Sequence, residues 1–583
     1  MKPSFSLQSS FAVLQRTIDL AEVGWIQVRA ALLLSVAMAT VAPAQTFKKL
    51  VDFSGANGAY PYAPLVQGAD GNLYGTTENG GTSGDGTVFK MTPQGTLTTI
   101  YNFCSETNCP DGIEPLAGLA LGSDGNFYGT TAAGGENYYG ECNTGCGTVF
   151  KITPTGTLTT LYTFCTESSC VDGLSPAGGL VLGIDGNFYG TTTGGGPTGS
   201  GTIFKITRSG LLTTLSGFCP QSGCTASSGG RPEAGVVQGA DGNIYGSTEA
   251  GGADSQGIVF KLAPSGTVTT LHSFCSLSSC SDGADPWGGL VQGTDGNFYG
   301  TTYGGGNDTG TGVVFKITPS GKLTTLHSFC DDNVCSDGEN PYAGLLQGSD
   351  GNFYGVTENG GANGYGVVFS ITPSGTLTTP HSFDGTDGTY AVAVLIQAVN
   401  GAFYGTTSGG GASGMGTIFT LSMGLGPVIE ALTYRGTIGT TVGFLGQGFT
   451  SSTTVSFNGN KSAKVSVQST TYLTATVPSS ATTGYVTATT SGGTLKSNNI
   501  FHVVPQITSF SPESGAAGTV VTIGGESLNG ATSVAFGGVK ATSFTVDSRT
   551  EITATVPSGA KTGKITVTTP SGIAASAGTF TVP

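Results

Sequence analysis

The hexapeptide Asp295-Gly296-Asn297-Phe298-Tyr299-Gly300 combines a turn with the start of a strand. Gly and Asn tolerate positive φ, so Asp-Gly-Asn suits a tight hairpin turn. The pattern Asp-Gly-Asn, one apolar residue, then Tyr-Gly recurs six times, and an altered seventh copy begins at Asn400 with a spacing between copies of 50 to 61 residues. The six complete copies begin at Asp70, Asp124, Asp185, Asp241, Asp295 and Asp350. Repetition at this period indicates a repeat architecture.

Four strand-like segments surround each copy, most clearly in the fifth repeat. They are rich in β-branched and aromatic residues and are separated by turn residues. The segments span residues 289–292, 298–302, 313–318 and 323–329. Four short strands per repeat, seven times over, predict an all-β fold with a seven-bladed β-propeller over residues 45–424.

The two ends of the repeat region predict how the propeller closes. The seventh repeat ends at Leu421 without an outermost strand, and residues 47–53 form a strand-like segment that belongs to no repeat. We therefore expect residues 47–53 to pair beside residues 417–421, so that the N-terminal strand closes the ring without a free sheet edge.

Residues 425–504 and 505–583 are two copies of one unit. Gly436, Pro478 and Gly484 recur at Gly515, Pro557 and Gly563, a constant offset of 79 residues, and Thr-Ala-Thr-Val-Pro-Ser occurs in both copies. Each copy alternates β-branched segments with Gly-rich turns and contains no helical stripe. This pattern predicts two small immunoglobulin-like β-sandwiches after the propeller.

These segments resemble two known families. Residues 295–302 with the following Gly-rich loop, and Gly-Val-Val-Phe-Lys-Ile-Thr-Pro-Ser-Gly at 312–321, resemble the GloVer (Gloeobacter and Verrucomicrobia) tandem repeat over residues 46–421. Residues 507–512, 534–538 and 554–557 resemble the IPT/TIG immunoglobulin-like family, which the second copy matches better than the first. The resemblances imply an exported bacterial propeller-like protein without an established reaction, with C-terminal domains that act as spacers or docking modules.

The N-terminal 44 residues predict export. Lys2, Arg16 and Arg29 precede an apolar run at residues 30–42, and Ala42-Pro43-Ala44 fits a signal-peptidase site, although a membrane-retained signal anchor is the alternative. No later stretch reaches the ~20 apolar residues of a membrane span, so we expect no transmembrane segment in the mature chain, which is secreted or at the cell surface. A net charge of −15 without a basic run argues against nucleic acid as a partner.

All 12 cysteines lie between residues 104 and 335 and fall into close pairs. A Cys-x4-Cys loop that turns brings its Cα atoms within reach of a disulfide, so we predict local disulfides and no metal site. Zinc is the alternative, but it needs four converging ligands, whereas equivalent loops of successive blades diverge. The pairs are Cys104 with Cys109, Cys142 with Cys146, Cys165 with Cys170, Cys219 with Cys224, Cys275 with Cys280, and Cys330 with Cys335.

Aromatic side chains are the candidate binding residues. In a four-stranded blade the loops entering the inner strand and the Gly-rich loops lie on one face, opposite the Asp-Gly-Asn turns. These positions hold candidates that can stack on a sugar or clamp a peptide, with packing between blades as the alternative. The candidates are Tyr62, Trp287 and Tyr342 ahead of inner strands, and Tyr138, Tyr139 and Tyr365 in Gly-rich loops.

The sequence contains no recognisable catalytic constellation, and we expect no cofactor. His272, His327 and His381 share one position on outermost strands and therefore diverge. Glu78, Glu249 and Glu358 share another position, but in the first, fourth and sixth repeats, so they do not pair with one another as glycoside hydrolysis requires. We expect a non-catalytic exported protein that binds a glycan or an extracellular protein. The alternative is a carbohydrate-active hydrolase or lyase with a site in the channel.

Overall fold

A computed structural model describes residues 45–583 except 138–141, 143, 167, 168, 219–228, 308, 333 and 463. The predicted signal peptide, residues 1–44, lies outside the described residues. Apart from one turn of 3-10 helix at Ser278–Cys280, the regular structure of the described part is β-strand, which confirms the all-β class. No helix in this part is long and apolar enough to cross a membrane.

The repeat region forms four-stranded sheets, one for each repeat, which we number 1 to 7. The first strand of the chain, β1 (Thr46–Asp52), precedes them. Sheet 1 contains β2 (Val66–Gln67), β3 (Leu73–Thr77), β4 (Thr87–Met91) and β5 (Leu97–Asn102). Sheet 2 contains β6 (Ala120–Leu121), β7 (Phe127–Thr131), β8 (Thr148–Ile152) and β9 (Leu158–Thr163). Sheet 3 contains β10 (Val181–Leu182), β11 (Phe188–Thr192), β12 (Thr202–Ile206) and β13 (Leu212–Gly217).

Sheet 4 is accompanied by a two-stranded ribbon of β14 (Gly229–Gly230) and β17 (Ala250–Gly251). Sheet 4 itself contains β15 (Val237–Gln238), β16 (Ile244–Thr248), β18 (Ile258–Leu262) and β19 (Val268–Ser273). Sheet 5 contains β20 (Val291–Gln292), β21 (Phe298–Thr302), β22 (Val313–Ile317) and β23 (Leu323–Ser328). Sheet 6 contains β24 (Leu346–Gln347), β25 (Phe353–Val356), β26 (Val367–Ile371) and β27 (Leu377–Ser382).

Sheet 7 takes its outer strand from the start of the chain. It contains β28 (Ile396–Gln397), β29 (Phe403–Thr407) and β30 (Thr417–Ser422), and β1 is hydrogen-bonded to β30. The amide of Phe53, just after β1, donates to the oxygen of Gly416 at 3.0 Å. In sheet 5 the amide of Phe329, just after β23, donates in the same way to the oxygen of Gly312 at 3.1 Å. β1 therefore occupies in sheet 7 the outer position that β23 occupies in sheet 5.

A glutamine side chain joins most neighbouring sheets. In sheet 7 the oxygen of Gln397 accepts from the amide of Ser349 of sheet 6, at 2.9 Å. The same contact joins the two ends of the repeat region, because the oxygen of Gln67 in sheet 1 accepts from the amide of Val399 in sheet 7 at 2.9 Å. Sheet 7 thus contacts sheet 1 as other sheets contact their successors.

The cores lie between adjacent sheets, where aromatic rings of one sheet pack on rings of the next. Tyr299 of sheet 5 stacks on Phe353 of sheet 6 with ring centroids 3.9 Å apart. Between sheets 7 and 1, the rings of Phe53 and Phe89 lie 5.5 Å apart. All four side chains are buried, which places the Tyr of the repeated hexapeptide in the packing between sheets.

The first C-terminal domain differs from the predicted sandwich of two separate sheets. Its strands form one nine-stranded sheet, because β31 pairs with β39 through Val428 and Ile429 and with β33 through Glu430 and Ala431. One strand therefore belongs to both layers. The strands are β31 (Val428–Ala431), β32 (Arg435–Gly436), β33 (Thr441–Leu445), β34 (Thr454–Phe457), β35 (Asn460–Lys461), β36 (Val465–Val467), β37 (Tyr472–Thr476), β38 (Gly484–Thr490) and β39 (Gly493–Val503).

The second C-terminal domain has the two four-stranded sheets expected of a sandwich. One sheet contains β40 (Gln506–Ser511), β41 (Val520–Glu526), β45 (Glu551–Thr555) and β44 (Phe544–Ser548). The other contains β43 (Val539–Lys540), β42 (Ser533–Phe536), β46 (Ile565–Thr569) and β47 (Gly572–Ala575). Its core between the sheets is aliphatic and aromatic, with Ile523, Val534 and Phe536 almost fully buried.

The first C-terminal domain packs against the repeat region at the side of the Asp-Gly-Asn turns. The hydroxyl of Thr471 donates to the oxygen of Ala69 at 2.7 Å, and the amide nitrogen of Asn498 donates to Gln397 at 2.9 Å. Leu445 of this domain joins one buried cluster with Val399 and Tyr74 of the repeat region. This side of the sheets is therefore covered, while the opposite side carries the candidate functional positions.

Candidate functional site

One residue in each repeat has an unusual backbone conformation. It lies in the loop that enters the inner strand, has φ between 51° and 57°, and is never glycine. Positive φ is uncommon for residues with a side chain, and a following proline, present in six repeats, disfavours helical backbone further. We call these residues the turn positions: Tyr60, Glu114, Ser175, Arg231, Asp285, Asn340 and Tyr390.

Main-chain hydrogen bonds hold each turn position in place. In the fifth repeat the amide of Asp285 donates to the oxygen of Gln256, and its own oxygen accepts from the amide of Tyr303, both at 3.0 Å. The acceptor contact recurs in all seven repeats and aligns a second set of residues just after the second strand. We call these the strand-end positions: Glu78, Ala132, Thr193, Glu249, Tyr303, Glu358 and Ser408.

A third set lies two residues after each turn position and surrounds a cavity of about 570 Å³, the mouth cavity. Every repeat contributes one residue, so the cavity lies where all seven sheets meet. We call these the inner positions: Tyr62, Leu116, Ala177, Glu233, Trp287, Tyr342 and Val392. The predicted candidates Tyr62, Trp287 and Tyr342 therefore line a single cavity.

Residue types at these three sets differ from repeat to repeat, whereas the framework does not. The Tyr of the hexapeptide occurs in all seven repeats, but the inner positions range from alanine to tryptophan. Since the sheets form in every repeat whichever residue occupies these positions, the fold does not require a particular side chain there. The mouth is therefore the part of the repeat region whose chemistry is set independently of folding.

Three aromatic rings contact one another on one side of the mouth cavity; we call Trp287, Tyr303 and Tyr342 the aromatic platform. The ring of Trp287 stacks on Tyr303 with centroids 5.7 Å apart and meets Tyr342 edge-on at 4.8 Å. Tyr303 was not among the residues predicted from the sequence. Its alignment with Glu249 and Glu358 at the strand-end positions is the signal that identifies it.

Carboxyl groups surround the platform. Burial raises the pKa of Glu358, although the hydroxyl of Tyr303 donates a hydrogen bond to it, which acts the other way. Burial also raises the pKa of Glu233, and the charge of Glu249 raises it further. Arg231 lies 3.4 Å from each of these last two carboxylates.

Glu249 interacts with a carboxylate at a different position of its own repeat. This neighbour is Glu233, an inner position that was not among the residues predicted from the sequence. Burial likewise raises the pKa of Glu78, assisted by the charge of Glu114. Carboxylates at different positions of the repeat thus come together at the mouth.

The remaining aromatic candidates do not join this group. Tyr365 is 43% exposed and is not among the residues that line the mouth cavity. A Cβ atom added to Gly385 would lie 3.3 Å from the Tyr365 ring, which places that ring beside the loop after β27. Tyr138 and Tyr139 lie outside the described residues.

Five of the six predicted cysteine pairs are disulfides in the described part of the chain, including the shorter Cys142–Cys146 loop. The pair Cys219 and Cys224 lies outside it. The sulfur of Cys146 lies within 4.8 Å of those of Cys165 and Cys170, but all three belong to disulfides and so offer no thiolate to a metal.

The three repeat-position histidines each contact an aspartate rather than one another. The Nε2 atoms of His272, His327 and His381 lie 2.7 to 3.0 Å from Asp282, Asp337 and Asp387. In sheet 1 the hydroxyl of Tyr101 donates to Asp111 in the same way, at 2.8 Å. These contacts anchor the loop after the outer strand. Their sequence signal is an Asp-Gly pair, which lies two residues after Cys109, Cys170, Cys280 and Cys335 and recurs as Asp387-Gly388 in the seventh repeat.

Comparison with protein families identifies two regions of the chain. The model described as Gloeobacter/Verrucomicrobia repeat matches residues 38–143, 105–281, 141–335 and 333–514. The model described as IPT/TIG domain matches residues 505–582. No curated protein shows significant sequence similarity to the chain.

Several solved structures are distantly similar to the chain. A streptogramin B lyase is 15% identical, with 65% of this chain and 97% of that chain covered and a TM-score of 0.42. A fungal alcohol oxidase of the AA5 family in complex with copper is 12% identical, with 79% and 100% covered and a TM-score of 0.43. A putative 6-phosphogluconolactonase from Bacteroides uniformis is 16% identical, with 57% and 88% covered and a TM-score of 0.36. Similarities at this level support no inference about activity.

Proposed function

Since the chain belongs to the Gloeobacter/Verrucomicrobia repeat family, we propose that it is an exported binding protein whose seven sheets form one seven-bladed β-propeller with a glycan-binding mouth. The single observation that carries the glycan site is the aromatic platform, which lies at positions that the fold leaves free to vary.

Contacts between the first and last sheets support a closed propeller. The hydroxyl of Thr406 in sheet 7 donates to the oxygen of Ala63 ahead of sheet 1, at 3.2 Å, as the hydroxyl of Thr301 in sheet 5 donates to Ala343 at 2.7 Å. Val51 and Phe53 join one buried cluster with Leu73 and Phe89 of sheet 1. Sheet 7 is thus packed and hydrogen-bonded on sheet 1.

The chemistry of the mouth favours a glycan. Aromatic faces stack on the apolar faces of sugar rings, and carboxylates accept hydrogen bonds from sugar hydroxyls. Trp287 and Tyr342 supply the aromatic faces, and Glu233 and Glu358 beside them supply the carboxylates. The negative charge of these carboxylates disfavours acidic polysaccharides, so the expected ligand is a neutral or basic glycan.

Disulfides support export. Five close pairs of cysteines are oxidised in the described part of the chain. Disulfides persist in oxidising compartments outside the cytosol and are rare inside it. In this proposal the first C-terminal domain is fixed to the propeller and the second docks to a partner or to the cell surface.

The experiment is a glycan-array screen of the mature chain, followed by calorimetric titration of the best glycan into the wild type and two variants. We expect Trp287→Ala to weaken binding at least tenfold, because it removes the centre of the platform. Tyr365→Ala is the matched control, since it removes an exposed aromatic ring outside the mouth cavity. Equal loss in both variants, or no glycan bound by the wild type, contradicts the proposal.

A second candidate function is a carbohydrate-active enzyme in the same mouth. The carboxyl pair Glu233 and Glu249 favours it, because burial and mutual repulsion raise the pKa of Glu233 as a general acid requires. The glycan bound on the array is therefore incubated with the protein and assayed for released sugar. Release that is lost in Glu233→Gln supports the enzyme, whereas binding without release supports the binding protein.

A further inference from the structure

A second cavity, of about 270 Å³, lies where the first C-terminal domain meets the inner strands; we call it the floor cavity. Leu180 and Val181 line both this cavity and the mouth cavity, so the two adjoin along the channel. The propeller wall of the floor cavity is mainly apolar. The C-terminal domain contributes the apolar Leu432 and Leu445 and also the polar Glu430, Tyr434, Asn498 and Asn499.

Glu430 is the unexpected member of this group. It lies on β31 between Ile429 and Ala431, whose side chains enter the domain core, while its own side chain faces the cavity. The side chain is half-buried, and none of the described residues donates a hydrogen bond to its carboxyl group. An apolar side chain at this position would cost less free energy to bury, because burying an unpaired carboxylate is destabilising.

The side-chain amides at this cavity are not free to accept from a ligand. The amide nitrogen of Asn498 donates to Gln397, and its oxygen is buried inside the protein, out of reach of the cavity. The glutamine oxygens of the wall are already engaged, since Gln67 accepts from Val399 and Gln397 accepts from Ser349. Glu430 therefore presents to the cavity a carboxyl group to which none of the described residues donates.

We infer that the floor cavity binds a small organic cation, an amine with an apolar body, whose ammonium group pairs with Glu430. The apolar wall suits the body of such a ligand, and a carboxylate, which only accepts hydrogen bonds, suits an ammonium group, which only donates them. A calcium ion requires six to eight oxygen ligands, which one free carboxylate does not supply.

The charged groups around Glu430 agree with this ligand. Tyr434 is the other titratable residue among those that line the floor cavity, and burial raises its pKa, so that it stays neutral. Arg435 and His502 line a neighbouring cavity beyond Tyr434. At the other end of the channel, the carboxylates of the mouth attract cations toward the entrance.

The test uses the mature chain and two probes of nearly equal shape, benzylamine and benzyl alcohol, titrated by calorimetry. We expect the wild type to bind benzylamine and to bind benzyl alcohol at least tenfold more weakly. Glu430→Gln keeps the shape of the side chain and should weaken benzylamine binding at least tenfold. The control Trp287→Ala changes only the mouth, so it should leave benzylamine binding unchanged while it weakens glycan binding at least tenfold.

A second measurement keeps the inference falsifiable if Glu430→Gln does not fold. In wild-type protein labelled with carbon-13, the pKa of Glu430 is followed by NMR with and without benzylamine. The free carboxyl should titrate near its raised pKa of about 7, and bound ammonium should lower that pKa by at least one unit. An unchanged titration, equal affinity for both probes, or no benzylamine binding overturns the inference.

Discussion

The guanidinium group of Arg435 donates a hydrogen bond of 2.9 Å to the main-chain oxygen of Gly239, which joins the first C-terminal domain to sheet 4. Its other terminal nitrogen donates to the oxygen of Ser571 in the second C-terminal domain at 2.8 Å. Arg435 is only 6% exposed, and burial lowers its pKa to about 10, so it remains charged at neutral pH. One buried cation therefore connects three parts of the molecule.

Replacing Arg435 should uncouple these parts. We expect Arg435→Met to lower the free energy of unfolding by about 2 to 4 kcal/mol, because two buried carbonyl oxygens lose a charged donor. Chemical denaturation followed by circular dichroism measures this change. Arg208→Met is the control, since Arg208 makes one exposed hydrogen bond of 3.3 Å to Ser123. Equal stability of the two variants contradicts the role given to Arg435.

The dependence of stability on pH should show that the pKa of Glu430 is raised in the folded protein. Burial raises its pKa from 4.5 to about 7, so the folded chain holds a proton that the unfolded chain releases between these values. The stability of the wild type should therefore fall as the pH rises from about 4.5 to 7 and stay low above that, by at most about 3 kcal/mol. Glu430→Gln cannot ionise, so this loss should vanish.

The measurement is urea unfolding at a series of pH values, with the wild-type curve subtracted from that of each variant. Glu551→Gln, which changes an exposed carboxyl group of the second C-terminal domain, is the control. If the difference between wild type and Glu430→Gln does not change with pH, Glu430 is ionised in the folded protein and the account of the floor cavity is wrong.

The repeat periodicity predicted the parts of the fold that depend on local sequence. The fourth segment of the fifth repeat was expected at residues 323–329, and β23 is Leu323–Ser328. Turn residues and alternating side chains determine such strands, so the local sequence is enough to predict them. The first C-terminal domain was less predictable, because β31 pairs with strands of both layers, which local alternation does not encode.

The candidate site was predicted in part, because residues at equivalent positions of the repeats can be compared in the sequence. Tyr62, Trp287 and Tyr342 share one repeat position and were found by comparing repeats. Tyr303 was not predicted because it lies at a strand-end position, away from the inner positions of the aromatic residues it contacts. Glu233 does lie at an inner position, but its role depends on the charge of Glu249 at another position, which comparison of the repeats does not indicate. The floor cavity arises from contact between two domains, and no pattern within either domain indicates that contact.

The disulfide loops allow a test of the cysteine assignments. Cys275 and Cys280 both have positive φ, and their loop holds the buried Asp282 against His272. The double substitution Cys275→Ser with Cys280→Ser should cost about 2 kcal/mol, the chain-entropy value of so short a loop. Thermal unfolding under reducing and oxidising conditions measures it: reduction should destabilise the wild type further than the variant.

The same samples test the pair outside the described residues. Peptide mapping of the unreduced wild type by mass spectrometry should find Cys219 linked to Cys224. Detection of a free thiol on either residue, or of a link from one of them to another loop, contradicts the predicted local pairing.

Closure of the propeller by the N-terminal strand can be tested by measuring how much Phe53 contributes to the free energy of unfolding. Its ring is fully buried, lies 5.5 Å from that of Phe89 in sheet 1, and follows the strand β1 that completes sheet 7. Phe329 holds the matching place after β23, is equally buried and lies 5.2 Å from Phe369. If β1 closes the ring, Phe53→Ala and Phe329→Ala should each cost about 3 to 5 kcal/mol, because each empties the same space between two sheets. Chemical denaturation of both variants compares them directly. A Phe53→Ala protein as stable as the wild type, beside a destabilised Phe329→Ala protein, would mean that the N-terminal strand is not part of the folded ring.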